Sequence, residues 1–393
     1  MLDTRIGLLI VFFVWITASL SAQDPVCIHQ DAIVLDAHND VLYASVLKGK
    51  DISIQMTTGH TDIPRLKEGK VNVQVFAVWA DERYGKGKGF NHANQQIDAL
   101  MRIIRDNPDD ISLACTADEI KKTVWEGRIA AVIGIEGGHL IEERIDYLDS
   151  LHRRGARYLT LTWNNSLSWA SSGRDEVRFP GRLKHKGLND LGRQIIRRMN
   201  ELGMVVDLSH AGRQTFFDVI EVTTKPVLVS HSNAHALAAH YRNLHDDQIR
   251  AVRDNGGVIC VNFYSAFLDP MFYTRVNQAY SRYVTANDTI NRSADAKFTR
   301  LPAAAKEEVR PPLSVVIDHI DYLVSMAGID HVGIGSDFDG IDSTPIGLDD
   351  CGDFPKITEA LVERGYSETD IRKILGENVL RVLRENEGED RGR

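Results

Sequence analysis

A chain of 393 residues is long for one average domain but ordinary for an α/β barrel with insertions, and it can bury a large core. With 43% hydrophobic and 26% charged residues it has the composition of a globular protein, and a formal net charge of -9 excludes a basic groove built for nucleic acid.

The N-terminus differs in kind from the rest. Arg5 precedes an apolar run from Ile6 to Trp15, then small residues through Ala22 and a polar Gln-Asp-Pro. This is the pattern of a secretory signal over residues 1–22, and the run is short for a bilayer span. The expectation is an exported protein, periplasmic or secreted, with a mature domain over 23–393 and no stable membrane insertion once the signal is removed. Cys27, Cys115, Cys260 and Cys351 permit disulfides without assigning them, and Cys260 reads as a small core residue.

The first strand runs from Ile33 into His38-Asn39-Asp40. Alternate strand residues point the same way, so His38 and Asp40 face one side together, although an Asp capping a turn beside a surface histidine is the simpler account of that pair alone. Val71 to Trp79, the second strand, ends without an ionisable ligand, and Ala93 to Asp106 has helical spacing. The third strand, from Ala130, runs straight into Glu136, then Gly137-Gly138-His139. A carboxylate ending a buried strand is costly unless paired or metal-bound, which makes Glu136 informative. His139 is expected to orient a neighbour or face solvent. Arg157 to Trp163 is the fourth strand, leading into Asn164-Asn165.

Met204 to His210 and Pro226 to His231 are two short apolar runs that each finish on histidine, with one helix-length connection between them. In a parallel barrel, adjacent strand ends surround one pocket, so this step places two imidazoles a few ångströms apart. Asn233 to His240 reads as a helix. Arg242, just past a strand end, reads on residues alone better as a surface arginine than as a carboxylate clamp. The seventh strand, Gly257 to Tyr264, precedes residues 265–310, polar with scattered aromatics and no clear period, expected to form a lid or a partner surface. Pro311 to Ala327 is helical, and the eighth strand, from His331, ends in Asp337 and Asp339. Ile357 to Arg364 and Thr369 to Leu383, broken at Gly376-Glu377-Asn378, complete the wall, with a frayed charged tail from Arg384.

Eight short strands, most separated by helical patterns, predict a single (β/α)8 TIM-type barrel with a long insertion after strand 7. Strands one, three, five, six and eight end in His, Asp or Glu at the face where barrel enzymes do chemistry. Imidazole and carboxylate without cysteine suit zinc, with manganese or cobalt possible. Five or six such ligands exceed one tetrahedral zinc, so two ions sharing the Glu136 carboxylate is the economical arrangement.

His38-x-Asp40, Gly134-Ile135-Glu136-Gly137-Gly138-His139, Val206-Asp207-Leu208-Ser209-His210, Val229-Ser230-His231-Ser232-Asn233, Arg242-Asn243 and Gly333 to Gly340 together resemble the motifs of the membrane (renal) dipeptidase family of metal-dependent amidohydrolases. The resemblance implies a peptidase with two zinc ions per chain: His38 and Asp40 on one ion, His210 and His231 on the other, Glu136 bridging and Asp337 beside the first. It implies hydrolysis of a small peptide by a hydroxide bridging the metals, with Asp337 moving the proton, Arg242 holding the terminal carboxylate and Tyr264 lining the substrate site. A D-residue at the C-terminus and a homodimer are further possibilities that it raises.

One departure stands out. Where the family carries a histidine after Leu-Thr on the fourth strand, this chain has Trp163, and an indole offers one N–H donor and no titration. Trp163 is expected to donate that hydrogen bond to the oxyanion or to narrow the pocket. Asn165 stands where a family cysteine would form a disulfide, so that bridge is expected to be absent. The alternatives are a related amidohydrolase acting on another amide or lactam, and a zinc-containing binding protein without turnover.

Overall fold

The computed structural model describes residues 24–85, 87–283 and 293–388, so the expected signal peptide lies outside the described residues. Short runs rich in Val, Ile and Ala form nine strands: β1 (Leu35–Asn39), β2 (Val73–Trp79), β3 (Ile111–Leu113), β4 (Ile129–Glu136), β5 (Ala156–Thr160), β6 (Val205–Asp207), β7 (Leu228–Ser232), β8 (Val258–Val261) and β9 (Val332–Ile334). Eight of them follow one another in the order β1-β2-β4-β5-β6-β7-β8-β9, each pair parallel. The circle returns on itself where Asn39 bridges Phe338: Asp40 N–H donates to the Phe338 carbonyl at 2.9 Å and Asp337 N–H to the His38 carbonyl at 3.1 Å. This is the expected (β/α)8 barrel.

Such strands are buried on both faces and so read as unbroken apolar runs. Leu35, Val73, Val75, Val132, Tyr158, Val205, Leu228 and Cys260 pack as one cluster inside the barrel, and the alternate residues Phe76, Val78, Ile133, Ile135, Val206 and Val229 pack outward under the helices. Glu136 inherits the inward phase of Ala130 and Val132, so strand geometry alone aims its carboxylate at the barrel axis.

Four expectations need correction. β3, a ninth strand among the described residues, lies off the circle and pairs β4; three residues carry too little pattern to be read. Asn233 to His240 is a run of turns, not a helix, because Ala234 bridges Leu244, His235 N–H donates to the Leu244 carbonyl and Ala234 N–H to His319 Nδ1, and these tertiary partners override its alanine-rich helix propensity. The segment after β8 is not a periodless loop: it folds into helices Ser265–Leu268, Phe272–Tyr283, Ala294–Arg300 and Ala303–Val309. Their core of Phe267, Phe272, Val276, Phe298, Leu301 and Val309 is shared among short helices, so no single one carries a long apolar stripe. The last helix runs Asn378–Asn386, past the expected fraying point, anchored by buried Asn386 donating to the Pro226 and Val382 carbonyls.

The break at Gly376 is as expected, with non-helical backbone inside a single π-helical turn. All four cysteines are free thiols, Cys260 buried in the core. No helix among the described residues is long and apolar enough to cross a membrane.

Candidate active site

The strand ends converge. Glu136 presents its two carboxylate oxygens to different partners: Oε2 lies 3.4 Å from His38 Nε2, while Oε1 lies 3.0 Å from His210 Nε2 and 3.6 Å from His231 Nε2. His38 Nε2 also stands 3.5 Å from Asp40 Oδ2, and the His38 and His231 rings are 3.8 Å apart between centroids. Two groups of ligand atoms result, His38–Glu136–His231 and His38–Asp40–Asp337, each within 4.8 Å.

The ring nitrogens behind these contacts are already engaged. Tyr158 donates its hydroxyl hydrogen to the Ala37 carbonyl at 3.2 Å, which leaves its oxygen to accept from His38 Nδ1–H at 2.8 Å. Ser230 Oγ donates to Asp207 Oδ2 at 2.7 Å, leaving its oxygen to accept from His231 Nδ1–H at 2.8 Å. Both imidazoles thereby turn an Nε2 lone pair toward Glu136, and two lone pairs against a carboxylate repel unless a cation or a proton lies between. His38 Nε2 and Asp40 Oδ1 are buried and meet no hydrogen-bond partner among the described residues. A nitrogen-and-oxygen donor set of this kind fits zinc, manganese or cobalt.

The charges agree with that reading. Burial opposes an ionised Glu136, but His38 and His210 beside it hold its carboxyl well below the usual range. Burial and Arg242 push His210 down to about 3, so it stays a neutral ligand type. At His38 burial opposes protonation, yet Tyr158 and Glu136 carry the imidazole well above its ordinary value. Burial, reinforced by Asp40 and Glu136 against the pull of His38, pushes Asp337 up to about 8.

His210 and Asp337 adopt left-handed backbone, with φ of 63° and 62°, a conformation costly for non-glycine residues and found preferentially at functional sites. Asp337 Oδ2 accepts from Asn262 Nδ2 at 2.7 Å. A Cβ on Gly340 would stand 2.1 Å from Asp40 Oδ2 and 2.6 Å from Asp337 Oδ1, so only glycine lets the chain pass this close to both carboxylates.

Above the cluster opens a pocket of about 460 Å³ that Asp40, Glu136, Trp163, His210, Arg242, Tyr264 and Asp337 all line, with His38 and His231 buried behind them. Arg242 is not a surface arginine: it is 4% exposed, donates to the His231 carbonyl at 3.1 Å and packs over the Phe267 ring at 5.4 Å. Tyr264 bonds Asp295 from the helical insertion, so the insertion reaches the pocket wall. His139 lies outside both ligand groups; it is buried, not facing solvent, and its Nε2 bonds the Ala80 carbonyl at 2.9 Å.

The sequence profile of the membrane dipeptidase family, peptidase family M19, matches residues 23–391. The chain belongs to that family. Solved structures agree with the assignment: dipeptidase AC, a metallopeptidase, is 27% identical over 91% of this chain and 99% of its own, with a TM-score of 0.75. The probable dipeptidase PvdM from Pseudomonas aeruginosa is 25% identical over 92% and 97%, TM-score 0.75. A metallopeptidase from Rhodobacter sphaeroides, solved with a phosphinate mimic of the dipeptide L-Ala-D-Ala, is 26% identical over 91% and 100%, TM-score 0.74. This membrane dipeptidase family fold is therefore a metallodipeptidase fold over nearly its whole length.

Several supporting residues of the family member escaped the sequence reading. Tyr158 and Asn262 reach His38 and Asp337 from other strands, and Asp207 acts one step back by holding Ser230, the neighbour of His231; the one available signal was the polar residue inside each apolar run. Tyr158 also depends on Gly134, where a Cβ would fall 2.1 Å from the Tyr158 ring. Gly134→Ala is expected to push that ring off His38, costing about 1–3 kcal/mol in stability and lowering metal content. Thermal unfolding and metal analysis check this, and a fully metallated, equally stable variant would refute it.

Proposed function

We propose that this chain is a dipeptidase holding two zinc ions, His38, Asp40, Glu136 and Asp337 around one and Glu136, His210 and His231 around the other. The observation that supports it most is Glu136, whose two oxygens face separate imidazole sets, as a carboxylate shared by two cations requires. When bound, such ions polarise a carbonyl and acidify a water so that it can attack at neutral pH.

The protein's own groups supply the rest. Arg242 takes the terminal carboxylate of the substrate with the N–H groups that it does not spend on the His231 carbonyl, which positions the peptide bond over Glu136 and restricts the substrate to very short peptides. Asn262 fixes Asp337 through Oδ2 and leaves Oδ1 to accept the proton of the attacking water and return it to the leaving amine. Burial raises the pKa of the Asp337 carboxyl in the protein alone, and bound cations would lower it toward the range that serves both base and acid. Tyr264, tied to Asp295, closes the side of the pocket. The pattern over residues 1–22 supports an exported enzyme whose mature domain is 23–393.

The dipeptide mimic bound by the Rhodobacter sphaeroides metallopeptidase supports a dipeptide substrate, including one with a D-residue at the C-terminus. Hydrolysis of L-Ala-L-Ala and L-Ala-D-Ala by zinc-loaded protein, abolished by a chelator and restored by zinc, is the expected result. Protein that holds two ions and cleaves neither would favour the second reading, another amide or a lactam, for which Trp163 in place of a histidine is the supporting observation.

A further inference from the structure

We propose that Tyr43, Trp79 and Trp163 seat the side chain of the substrate's N-terminal residue, so that the enzyme selects dipeptides beginning with an aromatic or large apolar residue. This rests on the dipeptidase reading and on where the barrel puts two sets of residues. Arg242 follows β7, and in the ring of eight the strand diametrically opposite β7 is β2, which ends at Trp79. Trp79 pairs in register with Glu136 on β4, so its residue stands directly beside the carboxylate at the centre of the ligand cluster. A dipeptide held by Arg242 at its carboxylate, with its peptide bond over Glu136, extends its first residue away from β7 and toward β2, because two extended residues span only about 7 Å.

Aromatic rings wait there. Trp163 meets Trp79 at 5.1 Å between centroids with planes 68° apart, and Tyr43 meets Trp79 at 4.4 Å and 87°. Rings set nearly perpendicular form a corner, not a closed stack, and a corner offers a flat guest both a face and an edge. The Trp79 indole N–H is buried without an acceptor among the described residues, a cost that the π face or hydroxyl of a bound aromatic side chain would relieve. The guest is neutral: Lys48 Nζ already lies 5.6 Å over the Tyr43 ring, so a cationic side chain would meet a like charge. The rings on the Arg242 side are committed elsewhere, Phe267 under Arg242 and Tyr241 under Arg178.

The test is kcat/KM of the zinc-loaded enzyme on X-Ala dipeptides with X Gly, Ala, Leu, Phe or Lys. Phe-Ala is expected to exceed Gly-Ala by about tenfold or more. Trp79→Ala and Trp163→Ala are each expected to shrink the Phe-Ala to Ala-Ala ratio by about threefold or more, whereas Trp79→Phe keeps it, which separates a lost ring from a damaged fold. The ratio is the readout because these rings also border the reacting centre. Equal rates across X, or Lys-Ala above Phe-Ala, would overturn the aromatic seat and leave the dipeptidase reading standing. Metal-dependent cleavage of none of the five would overturn that reading and the seat with it.

Discussion

Glu136→Gln is expected to leave dialysed protein with well under two metal ions per chain and to lower kcat/KM for a dipeptide by at least about a hundredfold. The amide keeps the shape of the side chain but removes its charge and replaces one oxygen with an N–H donor. Either Oε1, 3.0 Å from His210, or Oε2, 3.4 Å from His38, is lost as an acceptor. Removing a group that merely orients a metal ligand typically costs about 10–100-fold in affinity or activity, so losing the carboxylate proposed to be shared by two ions should exceed that. Elemental analysis beside steady-state kinetics checks both parts. Two retained ions with unchanged turnover would sink the bridging role, whereas His210→Ala is expected to lose the second ion first.

Arg242→Met should raise KM for a dipeptide and cost roughly 10²–10³ in kcat/KM, while hydrolysis of the corresponding dipeptide C-terminal amide changes far less. The guanidinium is buried, and burial lowers its pKa, so it sits in the pocket as a poorly solvated charge awaiting an anion. A charge-assisted bond to a carboxylate in such a site is worth about 2–5 kcal/mol, which sets the expected loss. Methionine retains part of the packing over Phe267, so the difference between acid and amide isolates the charge. Arg242→Lys should fall between, since an ammonium cannot reproduce the planar fork. Equal losses on acid and amide would reject the clamp.

The candidate ligands were legible because each lies at the end of a short, mainly apolar run: His38, Glu136, His210 and His231 close strands made mostly of Val, Ile, Leu and Ala. Arg242 was misjudged from residues alone, since nothing near it in sequence announces that the turns from Asn233 to His240 tuck it under the barrel mouth. The clamp role proposed for it came from the resemblance. The helical insertion was hidden for the opposite reason, because its core is assembled from several helices that each contribute two or three apolar residues.

By itself, the order of residues determined the barrel and the set of candidate ligands, since strand ends and inward phase follow from alternation within a few residues of chain. The tertiary structure alone decided how those residues are arranged. Which Glu136 oxygen meets which histidine, which ring nitrogen Tyr158 and Ser230 leave free, and that Trp79 stands across the mouth from Arg242 all depend on closing a circle of strands. The contacts that hold that circle shut join residues far apart in sequence, as when Ser336 N–H donates to Asp36 Oδ1 at 2.8 Å across 300 residues. Local periodicity carries no information about such partners, and so the site's chemistry became visible only once the first and last strands met.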